Sequence, residues 1–328
     1  MDFIKKNIIL VIAALLLALP FFMSSYHQMR LLTTLGIYLI ITMGLNLLLG
    51  YTGLVSIGQA GIYGIAGYTS GLLMVKAGFG FWTAALVTLL VGAVAGLLIG
   101  VITLKLNHAY LAIVTLGMAL MVQTVALNWR SLTGGFEGLQ PIPKPELFGY
   151  VIRNQTYLLF GVLAIDIAVY LLLRNLLRSK FGRSLRAVRD DSIAASMMGI
   201  NVRNIRLMSF TISSVLASLA GALYAGIYGG LFPDYFSMDL SVLFLCMVVL
   251  GGMGTQAGPI IGAVFITYGL EWLSFLGEGQ MLVYGILIVT VCVLKPAGIF
   301  GLFEDFGIVR GVRSWLAARD EKEEQTNV

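Results

Sequence analysis

Charged residues make up only 11% of this 328-residue chain, against about 25% in a soluble domain. That deficit excludes an ordinary water-soluble globular protein. Histidine occurs twice, at His27 and His108, far apart and each near the end of an apolar run. Neither belongs to an H-E-x-x-H or cysteine–histidine spacing, so no metal ligand set is predicted. The two cysteines, Cys246 and Cys292, both sit in apolar segments, where cysteine usually fills space. No G-x-x-x-x-G-K-[ST] loop is present, so the chain does not bind ATP in that way. No serine has a paired base at a useful spacing. The reading is therefore a non-enzyme with no catalytic residue, cofactor or metal. The net charge of +5 does not point to nucleic acid, because the loops of membrane proteins are rich in Lys and Arg anyway.

What fills the chain is apolar: 59% of residues are hydrophobic and the mean hydropathy is +0.92. A bilayer span needs about 20 such residues. Ten segments meet or approach that length: 8–24, 32–49, 56–75, 81–104, 108–128, 156–173, 204–228, 239–253, 258–276 and 280–295. The expected fold is thus all-α, a polytopic membrane protein of about ten transmembrane helices over residues 1–303, with a tail at 304–328. The run after Lys5 and Lys6 lacks an A-x-A cleavage pattern and reads as an uncleaved first span. With this count, 16 of the 21 Lys and Arg fall on one side and five on the other. The positive-inside bias then puts both termini in the cytoplasm. Loop 129–155, with Pro141, Pro143 and Pro145 beside Gly134, Gly135 and Gly138, falls on the outer side and is too broken to span.

Glycine is abundant, 39 residues. Gly92, Gly96 and Gly100 form a stripe on one helix face, and Gly58, Gly61, Gly64 and Gly67 recur every third residue. Most read as close-packing positions between helices. Two Gly-rich stretches, 50–61 and 251–258, share a Q-A-G triplet, a match too short to establish a duplication. Polar residues inside spans tend to face a cavity or another helix. Among them are Asn46, Gln59, Thr115 and Gln123. Asp166 is the one acid near the middle of a span, read first as a helix-bonding group and second as a substrate or proton contact.

The longest polar run, residues 180–206, carries Lys180, Arg183, Arg186, Arg189, Arg203 and Arg206 around Asp190 and Asp191. Asp190, Asp191 and Ser192 are N-cap types, and Gly199 is a natural helix terminator. The residues between predict a short helix with small side chains at Ala194 and Ala195. It reads equally as a docking element for a soluble partner or as a helix that only stabilises its loop.

Seven blocks then line up in order: GLNLLLGYTGLVSIGQA (44–60), YLAIVTLG (110–117), LTGGFEGL (132–139), FGRSLRAVRDDSIAASMMGIN (181–201), LASLAGALYA (216–225), VVLGGMGTQAGPIIGA (248–263) and KPAGIFG (295–301). On these the chain resembles the permease subunits of bacterial ABC importers for branched-chain amino acids, the LivM type, over nearly all of residues 30–303. The resemblance implies the ABC-importer permease fold in a bacterial inner membrane. It implies a paralogous permease partner, two cytoplasmic ATPases and an extracytoplasmic solute-binding protein as partners. It implies that the 190–200 helix is the coupling helix. Ala194, Ala195 and Gly199 match the importer pattern E-A-A-x-x-x-G, while Ile193 stands in place of the glutamate. Arg189, Asp190 and Asp191 flank this helix, and Gly182 and Gly199 are expected to act as its pivots. Gly134, Gly135 and Glu137 of the TGGFEGL loop are expected at an outer gate or binding-protein contact. The implied cargo is leucine, isoleucine and valine, and Asn46, Gln59, Thr115 and Gln123 are expected to line its translocation path, since neutral polar groups can pass a zwitterion without trapping it. Urea, amides, other amino acids and, more remotely, a secondary carrier remain open.

Overall fold

The computed structural model describes residues 25–103, 108–147 and 150–274, with isolated positions between 277 and 289. The first expected span and the tail lie outside the described residues, and the tenth span lies largely outside them. In chain order the helices are α1 (Tyr26–Asn46), α2 (Gln59–Val75), α3 (Phe81–Thr103), α4 (His108–Asn128), the short α5 (Arg130–Thr133), α6 (Gln155–Arg178), α7 (Lys180–Asp190), α8 (Ser192–Met197), α9 (Val202–Tyr228), α10 (Met238–Gly251) and α11 (Gly258–Trp272). The only strands among the described residues are the two-residue pair β1 (Glu146–Leu147) and β2 (Tyr150–Val151). Among the described residues, five segments are long and apolar enough to cross a membrane: Tyr26–Tyr51, Phe81–Ile102, Tyr110–Asn128, Gln155–Arg178 and Val202–Tyr228. The protein is an all-α, multi-pass membrane protein.

α1 and α9 form the centre. Their side chains are mostly buried, whereas α3 and α4 expose most of theirs. On α3 the exposed face is Leu86, Leu90, Val94, Leu97, Leu98 and Val101, the composition that lipid tails accept. Its opposite face is the glycine stripe. A Cβ at Gly96 would sit 2.6 Å from Cβ of Ser214 on α9, and one at Gly92 would collide with the Ser218 hydroxyl. The stripe therefore lets α3 and α9 approach backbone to backbone, the way helices associate where lipid removes the hydrophobic drive. Close packing also explains the three-residue glycine repeat on α2. Gly61 lies against Ala119 of α4, and Gly64 against Phe236.

The connections gather at two opposite ends. At one, the 129–155 loop folds back over the helix termini. Leu139 pairs with Leu231 in an isolated bridge, and Ile142 N donates to Gly229 O. Lys76 Nζ donates to Ser131 O, and Trp82 Nε1 donates to Glu146 O. His27 at the start of α1 meets Glu271 near the end of α11 at 2.6 Å on the same end. The other end holds α7, α8 and the basic residues of 180–206.

Helix boundaries depart from expectation in three places. α1 does not stop at residue 49 but runs on as a π-helix, Leu47–Tyr51. The third span opens at Gln59 rather than 56, because residues 53–58 are irregular, with Gly53 at φ +76°. Residues 180–190 form a helix of their own, with Gly182, Leu185 and Val188 buried at three-residue spacing and the arginines outside. At Gly182 a side chain would strike the Leu177 carbonyl, so the glycine closes the tight corner between α6 and α7.

Substituting Gly96 by leucine should cost about 1–3 kcal/mol by overpacking and lower the thermal midpoint in detergent. Gly117, whose Cβ direction meets nothing within 4 Å, should accept alanine without loss.

Candidate functional site

Between Tyr51 and Gln59 the chain leaves helical geometry inside the bundle. A break there strands backbone N–H and C=O groups that water cannot reach. Other elements satisfy them. Gly53 N and Leu54 N donate to Leu49 O and Leu48 O, and Thr52 Oγ1 donates to Leu47 O. The Thr115 hydroxyl on α4 accepts from Ile57 N at 3.0 Å. Ser241 on α10 accepts from Ala60 N at 3.2 Å, in the first turn of α2. Gln59 Nε2 donates to Ser213 Oγ on α9 at 3.0 Å. Gln59 Oε1 has no protein partner among the described residues and is buried.

A second break, residues 252–257 between α10 and α11, meets the first. Asn46, the last residue of α1, reaches across to it with both ends of its amide. Nδ2 donates to Thr255 O at 2.8 Å, and Oδ1 accepts from Gly254 N at 2.9 Å. Thr255 Oγ1 closes its own loop by donating to Gly252 O and accepting from Gly258 N. The two stretches that share Q-A-G are thus neighbours in space.

The basic element docks on this junction. Arg189, at the end of α7, donates through Nη1 to Gly50 O at 2.8 Å and through Nε and Nη2 to Asp190 Oδ1. Asp191 caps α8 by accepting from Ile193 N and Ala194 N. At the far end Gly199, with φ +81°, closes the helix: Gly199 N donates to Ser196 O and Ile200 N to Ala195 O, the Schellman pattern. α8 is therefore one stiff turn-and-a-half, capped at both ends. Its free face differs from expectation. Ala195 is buried against its own chain, while Ile193, Met197 and Met198 are 68–82% exposed. Ala194 is exposed beside them. The outward surface is a large apolar knob rather than a patch of small side chains.

Of the expected path residues, Asn46, Gln59 and Thr115 come together around the breaks. Gln123 does not; it lies about two turns further along α4, half-buried. Both Asn46 and Thr115 are fully engaged in holding backbone. Gly134, Gly135 and Glu137 sit at the opposite end, the glycines in left-handed conformation at φ +82° and +62° and Glu137 exposed. Asp166 is buried beside Gly36 of α1, and its carboxylate has no hydrogen-bond partner among the described residues. Ser241 and Thr255 were not legible as site residues; Ser241 acts on a segment remote in sequence, Thr255 closes its own loop, and neither stands out from other span-end hydroxyls. No group of three potential metal-binding side chains occurs among the described residues.

A family model described as branched-chain amino acid transport system / permease component matches residues 28–292. The chain is 36% identical to the high-affinity branched-chain amino acid transport system permease protein LivM of Escherichia coli strain K12, across 90% of this chain and 75% of that protein. It is 25% identical to a probable LivM permease protein of Methanocaldococcus jannaschii, across 80% of this chain and 90% of the relative. It is 29% identical to the autoinducer 2 import system permease protein LsrC of Escherichia coli O9:H4, across 81% and 80%. No solved structure matches the chain.

Asn46→Ala would leave Gly254 N and Thr255 O unpaired, at a cost of about 1–3 kcal/mol per stranded group. Ser241→Ala, which strands one N–H, should cost less. Detergent unfolding followed by tryptophan fluorescence should rank the two in that order.

Proposed function

The chain belongs to the branched-chain amino acid transport permease family, and we propose that it is the membrane subunit of an ATP-driven importer carrying leucine, isoleucine and valine into the cytoplasm. The observation that carries this reading is the likeness to LivM over 90% of this chain combined with a capped, apolar α8 that follows directly on α7, whose Arg189 is tied to a broken helix. The lower likeness to LsrC keeps another small solute as the second reading of the cargo.

In the proposed orientation the basic end is cytoplasmic and both termini lie there, in a bacterial inner membrane. ATP is hydrolysed by two separate cytoplasmic subunits. A paralogous permease completes the membrane core, and a solute-binding protein delivers cargo from outside. Ile193, Met197 and Met198 enter a groove of the ATPase, with Ala194 at the edge and Ala195 fixing α8 to its own chain. Asp191 and Gly199 keep α8 rigid. Arg189, oriented by Asp190, passes its displacement to Gly50.

The receiving element is the junction of the two breaks. Alternating access needs a part with two arrangements that a partner can bias. Residues 52–58 have few bonds of their own and borrow one from α4, and the first turn of α2 beside them is held by α9 and α10, so they fit that part. Asn46 and Thr115 hold the closed arrangement. Gln59 is buried in it, with one acceptor unengaged. When the segment moves, that oxygen can receive the ammonium group of a zwitterionic amino acid, and Gln123 lies further along the same route. At the outer end Gly134 and Gly135 shape the loop that presents Glu137 to the delivering protein.

A cysteine at Met197 should crosslink to a co-purifying ATPase, whereas one at the buried Ala195 should not. Gly199→Leu, strained at its positive φ, should leave hydrolysis in place while uptake falls roughly tenfold. Absence of any ATPase from the purified protein, with uptake driven by an ion gradient, would overturn the proposal.

A further inference from the structure

A shallow groove opens at the basic end between α1, α6 and the start of α11. Its floor is apolar: Met43, Leu47, Leu173 and Leu177, with Pro259 at the side. Its rim is polar: Tyr51, Tyr170, Arg174 and Gln256. Arg174 is half-buried and has no ion pair among the described residues. Arg186 and Arg189 lie near enough to the Tyr51 hydroxyl to act on it electrostatically. The first turn of α11 adds the positive end of a helix dipole.

Two chemistries are thus stacked along the groove. The apolar floor runs along the flank of α6, whose outer positions Leu171 and Leu172 are exposed to the surroundings. The rim sits where that helix ends and gathers positive charge: Arg189 is paired with Asp190, but Arg174 has no ion pair among the described residues. A soluble anion would use only the rim, and an uncharged lipid only the floor. We propose that this groove binds an anionic phospholipid, its phosphate at Arg174, Tyr51 and Tyr170 and the upper part of one acyl chain along Met43, Leu47 and Leu173. Basic pockets between transmembrane helices on the cytoplasmic side are suited to such headgroups. The lipid would touch Leu47 in the π-helix and Gln256 in the second break, so its presence would brace both. Binding here is independent of what the chain carries.

The test is native mass spectrometry of the full-length chain in detergent with phosphatidylglycerol or phosphatidylcholine added. Wild type should retain phosphatidylglycerol preferentially. Arg174→Gln should cut that retention about fivefold, the value of one positive charge near a membrane surface. Arg174→Lys, and Arg153→Gln at the opposite end, should preserve it. Tyr170→Phe, which removes one rim hydroxyl and leaves the packing alone, should lower retention in the same direction and guards against a folding defect in Arg174→Gln. Equal retention of the two lipids, or an unchanged Arg174→Gln, would overturn the proposal. Displacement of the lipid by inorganic phosphate would make the groove a small-anion site and overturn it equally.

Discussion

Lipid offers no hydrogen bonds, and the fold depends on that one constraint. A transmembrane helix meets it within its own backbone; a broken helix cannot. Residues 52–58 and 252–257 are broken inside the bundle, so polar groups that their own turns leave unpaired have to find a side chain from elsewhere. Thr115 fills that role for Ile57 N and Asn46 for Gly254 N and Thr255 O, while Ser241 accepts from Ala60 N just beyond the first break, so the three bonds come from three different helices. Each bond also fixes the distance between the elements it joins. The positions of α1, α4, α10 and the loop before α11 are therefore coupled through a short piece of irregular backbone. A movement of that piece must exchange several bonds together, which favours two discrete arrangements over a continuum.

The second requirement is close approach. Side-chain hydroxyls reach only a few ångströms, so bonds such as Gln59 to Ser213 form only if the helix axes come near. Small residues provide this. Gly221 on α9 lets the helix touch Tyr63 O and Gly67 N of α2 backbone to backbone, and the α3 stripe does the same from the other side. α9 is thereby clasped between α2 and α3 with its serines facing inward. The same glycines that look like packing devices in the sequence are what bring the polar atoms within range of the break.

The membrane helices were legible because hydropathy and length report directly on the solvent a segment meets. Eight of the ten expected segments correspond to helices within the described residues, with ends shifted by a few positions. The break was not legible. Gly53 and Gly58 have the same composition whether they line an irregular segment or pack a regular helix, and the deciding partners, Thr115 and Ser241, are far along the chain. α7 could have been read from Gly182, Leu185 and Val188 against Arg183, Arg186 and Arg189, but the charges masked an amphipathic helix as a loop. For α8 the caps at Asp191 and Gly199 were readable, since capping is local chemistry. Its outward face was not, because which side of six residues turns inward is decided by what α7 and α9 leave uncovered.

That outward face changes how α8 can act. Small side chains would allow sliding contact in a partner's groove. Ile193, Met197 and Met198 instead present three large flexible apolar groups, and methionine adapts its shape to irregular surfaces. In the proposed docking, burying them would gain more per contact than burying alanines. Such a knob would hold firmly without demanding one fixed geometry. The specificity of movement then has to come from the other side of the helix. There Ala195 is packed flush and Arg189 makes a directional, charge-assisted bond to Gly50 O. Adaptable grip outside and rigid linkage inside is the division expected of an element that transmits displacement from a variable surface to a defined one.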